Sequence, residues 1–311
     1  MDNVTHTLSG VVLAHACYRR RLGPRAVPIL AVAANLPDLD AVVMLSGDPR
    51  AVLLRRTFGH SLLLLPFWIL LGVPLLRRLA PKLGFREVLA LVAAGVGLHL
   101  LLDLVNSFGV VLLWPLSDWR PELASVFILD FILTGLLALP LLICLPRSRR
   151  EKLEGAARAS LALVAVYLLF CSLSRGLAGS ILAREAASIH PPPEFSYVFP
   201  EPLGPHRWRG VLRQGNTYRL YLIHSLSGRI EPRRELTTQL GDLQVEAARA
   251  SPPGRRVESF FKAPVWEVEA RGNPSDIQVS DLRFGSLLLD REPVFVFDFE
   301  VYPDLRVEEA R

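Results

Sequence analysis

His99 and Asp103 stand four residues apart in an apolar run, Gly97-Leu98-His99-Leu100-Leu101-Leu102-Asp103-Leu104-Val105-Asn106-Ser107. At about 100° per residue, His99, Asp103 and Asn106 share one narrow helical stripe while leucines cover the rest of the circumference. Such a pair can bind a metal, take part in catalysis, or simply satisfy itself as a buried hydrogen-bonded pair. The choice depends on what other segments bring to the same depth.

The chain has 311 residues, of which 51% are hydrophobic, which points to a membrane protein with room for a second domain. The apolar residues concentrate before about Gly179, and the remainder is rich in Arg, Glu and Pro. The net charge of +5 resides in basic clusters between apolar runs. That is the pattern of loops held on the cytoplasmic side rather than of a nucleic-acid surface, so no nucleic-acid partner is expected. Cys17, Cys144 and Cys171 sit in apolar segments without C-x-x-C spacing and suggest neither a zinc knuckle nor a disulfide framework. Asp2 and His6 stand where a signal peptide would carry basic residues, so the first helix reads as retained.

Six apolar segments emerge: Val4 to Tyr18, Ala26 to Leu45, His60 to Leu76, Val88 to Val105, Val126 to Leu145 and Leu161 to Leu177. Several are near the lower limit of the roughly 17–25 residues a spanning helix needs. The expected fold is therefore an α-helical multi-pass membrane bundle of about six segments, followed by a small, mainly antiparallel β domain. Residues 1–180 form the membrane domain, 181–205 a stiff Pro-rich linker, and 206–311 the soluble part. In that last region Trp208 to Leu212, Thr217 to His224, Trp266 to Ala270, Ile277 to Phe284 and Pro293 to Val301 read as strands. Gln214-Gly215-Asn216 and Ser227-Gly228 read as turns.

Basic clusters at Arg19 to Arg25, at Arg77, Arg78, Lys82 and Arg86, and at Arg147, Arg149, Arg150 and Lys152 follow the first, third and fifth segments. Placed in the cytoplasm, they put both termini, and the C-terminal domain, outside. Arg50, Arg55 and Arg56 run against this order. The topology gathers His6, Asp38, Asp40, His60, His99, Asp103 and Asp130 at one membrane face. Four carboxylates in apolar spans cost together on the order of 10 kcal/mol unless something offsets them, and a divalent cation would. Three imidazoles with carboxylates suit zinc, manganese or iron rather than calcium or magnesium. Seven groups exceed one ion's needs, so there are two ions or some residues orient the ligands. Asp38 and Asp40 point about 200° apart on a regular helix, which makes one of them an orienter.

His15 falls on the opposite side of its helix from His6 and reads as a packed or interface histidine. Trp68, Trp114 and Trp119 read as core or interfacial anchors, and His190, His206 and His224 lack a carboxylate at ligand spacing. No His-Glu-x-x-His, phosphate-binding loop, G-x-S-x-G elbow or dinucleotide fingerprint occurs. Metal-activated water is the simplest reaction left.

Met1-Asp2-Asn3-Val4-Thr5-His6-Thr7, Asn35-Leu36-Pro37-Asp38-Leu39-Asp40, Arg56-Thr57-Phe58-Gly59-His60-Ser61, His99 to Asp103 with Asn106-Ser107-Phe108-Gly109, and Phe127-Ile128-Leu129-Asp130 together carry a resemblance. In that order they resemble the motifs of the bacterial membrane-bound metal-dependent hydrolases of the YdjM type, known for an inner-membrane member under LexA control. Asp281-Leu282-Arg283-Phe284-Gly285 resembles a piece of the longer members. The family's motif order is distantly similar to zinc-dependent phospholipase C and to P1-type nucleases. The resemblance implies a bacterial inner membrane location, metal ligands at His6, Asp38, His60, His99 and Asp103, and Asp40 and Asp130 as further ligands or as residues steering the water. Gly59, where the family usually has Thr, and Phe131, where Pro commonly follows the aspartate, depart from the pattern.

The leading expectation is a hydrolase in the lipid bilayer that uses one or two ions, zinc foremost, to cleave a phosphoester such as a lipid head-group linkage at the outer interface. The alternatives are a transporter using the carboxylates as a relay, and an adaptor in which a metal only braces the helices.

Overall fold

The computed structural model describes residues 1–309, so Ala310 and Arg311, the end of the region 206–311, lie outside the described residues. The chain divides into two compact units, Met1–Ser172 and Leu173–Arg311.

In the first unit α1 (Asn3–Leu13) starts at Asp2, whose carboxylate accepts hydrogen bonds from the backbone N–H groups of Val4 and Thr5. A π-helical turn, Ala14–Tyr18, and the short α2 (Arg19–Leu22) prolong it to Gly23, whose φ of +80° ends the helix. α3 (Ala26–Ala33) gives way to a 3₁₀ helix, Pro37–Ser46, bent 50° from it. A second 3₁₀ turn, Pro49–Leu54, is followed by α4 (Leu65–Arg77), α5 (Phe85–Val105), α6 (Phe131–Ile143) and α7 (Leu153–Ser188). Ile29 and Leu30 of α3, Val73 of α4 and Leu91, Val92 and Val96 of α5 make one apolar core. Val12 of α1, Leu102 of α5, Leu133 and Leu137 of α6 and Val164 of α7 make another. At Gly95 a Cβ would stand 2.7 Å from the Ala33 Cβ. The missing side chain is what lets α5 close on α3, as small residues do between apolar helices.

Among the described residues two helices are long and apolar enough to cross a membrane, Phe85–Val105 and the run Ser148–Ser188. A third crossing arises if the bent pair Ala26–Ala33 and Pro37–Ser46 acts as one. This corrects the six spans expected from the sequence. α4 and α6 have 13 residues each, about 20 Å at 1.5 Å per residue against a hydrocarbon core of roughly 30 Å. The first apolar run is divided into α1, the π turn and the basic α2, and the third begins its helix only at Leu65, after irregular backbone.

In the second unit the end of α7 packs through Ala178, Ile181 and Leu182 on Val198, Trp208 and Ile223 of an antiparallel sheet. That sheet has the order β1-β2-β3-β4: β1 (Phe195–Pro200), β2 (Arg207–Gln214), β3 (Thr217–His224) and β4 (Arg229–Thr237). Helices α8 (Leu243–Ala250) and α9 (Pro252–Phe260) lead to a second sheet, β5 (Pro264–Ala270), β6 (Ser275–Asp281), β7 (Val296–Val301) and β8 (Val307–Glu309). Phe199, Val211 and Leu220 meet Val265 and Leu282 between the sheets. The stretch 181–205 is thus not only a linker: it contains the end of α7 and β1, which pairs residue by residue with β2 from Phe195↔Arg213 to Pro200↔Trp208. The prolines hide a strand whose Tyr197, Val198 and Phe199 are strand formers. Asp281 accepts the backbone N–H groups of Lys262, Ala263 and Arg283, so the motif at Asp281 to Gly285 ties loops together inside this unit. Burial lowers the pKa of Arg209, and its ion partner Glu201, 3.2 Å away, opposes that shift.

Candidate metal centre

α5 supplies His99 and Asp103 on consecutive turns, both fully buried. The 3₁₀ turn after α3 supplies Asp38 and Asp40. Between them the loop after Leu54 delivers His60; Trp68 Nε1 on α4 donates to Phe58 O at 2.9 Å, and Ser61 Oγ donates to Trp114 O at 2.6 Å. Both tryptophans therefore brace the loop that carries His60. Gly59 is required for this approach, because a Cβ there would run into the Pro37 carbonyl and stand 3.2 Å from the Asp40 Cβ. Gly59 is thus the residue that lets the two loops touch.

Asp38, His60, His99 and Asp103 each offer one ligand atom, all within 4.8 Å of one another, and all four residues are buried. His60 Nε2 lies 3.0 Å from His99 Nε2 and 3.2 Å from Asp103 Oδ2, and His99 Nε2 lies 3.5 Å from that same oxygen. Asp38 Oδ1 is 4.0 Å from His60 Nε2. Ligands about 2.0–2.1 Å from a tetrahedral ion stand about 3.3 Å apart, so this spacing suits a small divalent cation.

The hydrogen bonds behind the two rings sharpen this fit. His99 Nδ1 lies 2.7 Å from Ala34 O, which can only accept, so Nδ1 carries the proton and Nε2 of the neutral ring a lone pair. His60 Nδ1 lies 2.9 Å from Asp40 Oδ2, which in the same way leaves the Nε2 lone pair forward. Two lone pairs facing across 3.0 Å repel unless a cation or a proton lies between them. Asp38 Oδ2 is buried without a hydrogen-bond partner, a second mark of a site built for a positive group. The group can hold a metal ion.

Charge alone would not have singled it out. Arg55 reaches Asp38 Oδ1 and Asp40 Oδ1, each at 3.0 Å. Arg56 Nε lies 2.9 Å from Asp103 Oδ2, and the Met1 ammonium contacts Asp103 Oδ1. The carboxylates thus have counter-charges, and ring orientation carries the argument. Arg56 also donates to Asn106 Oδ1 at 2.9 Å, so the third residue of the α5 stripe holds that arginine in place.

The remaining residues fall around the four. His6 is buried, its ring stacked on His99 at 3.7 Å between centroids, with Nε2 3.2 Å from Asp103 Oδ1 and Nδ1 without a partner. Asp40 stands behind His60, and its Oδ2 also accepts from Thr57 N–H. Asp130 caps α6 by accepting from Leu133 N–H at 2.8 Å and takes the Tyr167 hydroxyl at 2.7 Å; these partners lie outside the cluster. Arg55 and Arg56 escaped the sequence reading because they counted as loop charges. Their position directly before the Thr57-Phe58-Gly59-His60 motif was the available signal.

Two substitutions separate these roles. Asp40→Asn should weaken metal binding by about 10–100-fold, read by chelator competition, because the proton on His60 Nδ1 loses its carboxylate. Asp130→Ala should lower stability by about 0.5–2 kcal/mol in thermal unfolding, the usual loss of an N-cap, and leave metal content unchanged.

Apolar helices around a buried His/Asp cluster define the class: a membrane protein with a candidate metal centre in its helical unit. The chain belongs to the family of the YdjM inner membrane protein, whose family model matches residues 1–178. No similar curated protein and no similar solved structure was found. The matched region contains all of the residues around the centre and ends within α7.

Proposed function

We propose that this protein is a metal-dependent hydrolase of the inner membrane that cleaves a phosphoester, a lipid head-group linkage being the substrate class its setting favours. The observation that carries the reading is the pair of imidazole Nε2 atoms, each fixed from behind and facing the other beside two carboxylates. A divalent ion held by Asp38, His60, His99 and Asp103 would lower the pKa of a water towards neutrality and polarise a phosphoryl oxygen, so no protein nucleophile would be needed.

The chain's own residues have distinct tasks in this scheme. Asp40 and the Ala34 carbonyl hold the two tautomers. Both Asp40 oxygens are engaged, so it is a positioning residue rather than the group that steers water. Asp130 caps a helix and has no part in the reaction. His6 donates from Nε2 to Asp103 and stacks its ring on His99, so it holds two of the four ligand residues in place. Arg55, 19% exposed at its side chain, stands at the rim where a phosphate oxygen would arrive. We place the β-rich unit on the extracytoplasmic side, with the helices crossing more than once.

The experiment is turnover of a panel of soluble phosphodiesters and phospholipids by the detergent-purified full chain, with and without zinc or manganese. Hydrolysis that disappears in His99→Ala supports the reading. A metal-loaded protein that hydrolyses none of the panel overturns it, and proteoliposome flux dependent on Asp38 or Asp103 would put a transporter in its place. A cytoplasmic tag at the C-terminus would overturn the placement of the β unit.

A further inference from the structure

His15, set aside as a packing residue in the sequence, opens onto a cavity of about 300 Å³ in the first unit. The cavity lies between the end of the first helix and the start of the last, and Arg19, Arg20, Arg150, Glu151 and Glu154 also line it. Glu154 is committed elsewhere, to Arg158 at 2.6 Å. Arg19, Arg20 and Arg150 are exposed, and among the described residues none of the three takes part in an ion pair. With Glu154 engaged, three guanidiniums face the single carboxylate of Glu151, so the concavity keeps an excess of positive charge that an anion would balance.

The backbone is shaped to hold this arrangement. The π turn at Ala14–Tyr18 widens the first helix at His15, a device common at functional sites. The carbonyl of Ala16 within that turn accepts a hydrogen bond from Arg158 Nε at 2.9 Å, which pins the last helix beside it. The cavity is separate from the metal centre: His15 follows His6 by nine residues, about 13 Å along the helix. Leu142 and Leu145, which lead towards Arg150 from α6, are 65% and 71% exposed. An acyl chain would cover them.

We propose that this cavity binds the phosphate of an anionic phospholipid head group. Guanidiniums take phosphate oxygens in pairs, and the exposed Leu142 and Leu145 shortly before Arg150 in the chain favour a phosphate that arrives on a lipid over one free in solution. The inference does not rest on the hydrolase reading, since it uses none of the residues of the metal centre.

The test is native mass spectrometry of the full chain in detergent with dioleoyl phosphatidylglycerol, dioleoyl phosphatidylcholine or inorganic phosphate. Phosphatidylglycerol should bind at least about tenfold tighter than phosphatidylcholine, and the triple variant R19Q/R20Q/R150Q should lose that preference. Arg150→Gln alone, at an exposed position, should lose part of it, which keeps the test open if the triple variant folds poorly. R77Q/R78Q removes charge outside the cavity and should bind like the wild type. Equal binding by wild type and triple variant, or an equal loss in R77Q/R78Q, overturns the proposal. Inorganic phosphate that displaces the lipid, and is itself lost in the triple variant, overturns the lipid assignment in favour of free phosphate. The triple variant should retain the wild-type metal content, so a failure here is distinguishable from a failure of the metal centre.

Discussion

His99→Ala is expected to take the purified protein from about one bound transition-metal ion per chain to almost none, as read by elemental analysis after removal of loose metal. The size of the effect follows from the number of donors. His99 supplies one of four ligand atoms, and its ring also fills the space against His6, so its loss opens the site as well as removing a ligand. Asp103→Ala should do the same and in addition strand Arg56, a buried guanidinium that would lose its carboxylate and carry an uncompensated charge. Breaking such a pair from one side costs about 3–5 kcal/mol, so Asp103→Ala should unfold well before His99→Ala. If the wild type holds no metal, or both variants keep their metal, the cluster is a closed ion-pair network. His60 would then carry two protons and donate to Asp40 and Asp103.

The second large effect is expected at a residue with no side chain. Gly59→Ala places a methyl group against the Pro37 carbonyl, where the backbone of the 3₁₀ turn cannot yield as a flexible side chain could. Overpacking of this kind costs about 1–3 kcal/mol, and here the strain falls on the loop that delivers Asp38 and Asp40. Metal affinity should therefore fall together with the unfolding temperature, although neither glycine nor alanine offers a ligand. A variant that unfolds earlier but binds metal as tightly as the wild type would show that the 3₁₀ turn moves without carrying Asp38 away.

The centre was legible in the sequence because polar groups in apolar runs are expensive and therefore few. His99 and Asp103 announced each other by helical spacing, and the shared depth of Asp38 and His60 pointed to them without any pairing rule. Depth is only one coordinate. Asp130 shares it and still serves to cap a helix, because nothing in a linear sequence fixes where a residue lies around the bundle. Span number was illegible for a different reason. Hydropathy sums over a run regardless of whether its backbone stays helical, and the end of the second apolar run, from Pro37, and the start of the third, up to Leu64, leave the α form. In the β unit, β2 and β3 were evident from alternation and their Gly215 turn. β1 was masked by its prolines, and α8 and α9 lay in a stretch too polar to attract notice.

The complete burial of His60, His99 and Asp103 bears on how fast an ion can enter or leave. A buried donor set exchanges its ion slowly, because the groups that cover it must move first. Arg55, which spans Asp38 and Asp40 and keeps some contact with solvent, is one such group. Chelators should accordingly strip the wild-type protein over hours and Arg55→Ala much sooner. A cell that starves for metal while the chain is being inserted would be left with a population that later supply refills only slowly.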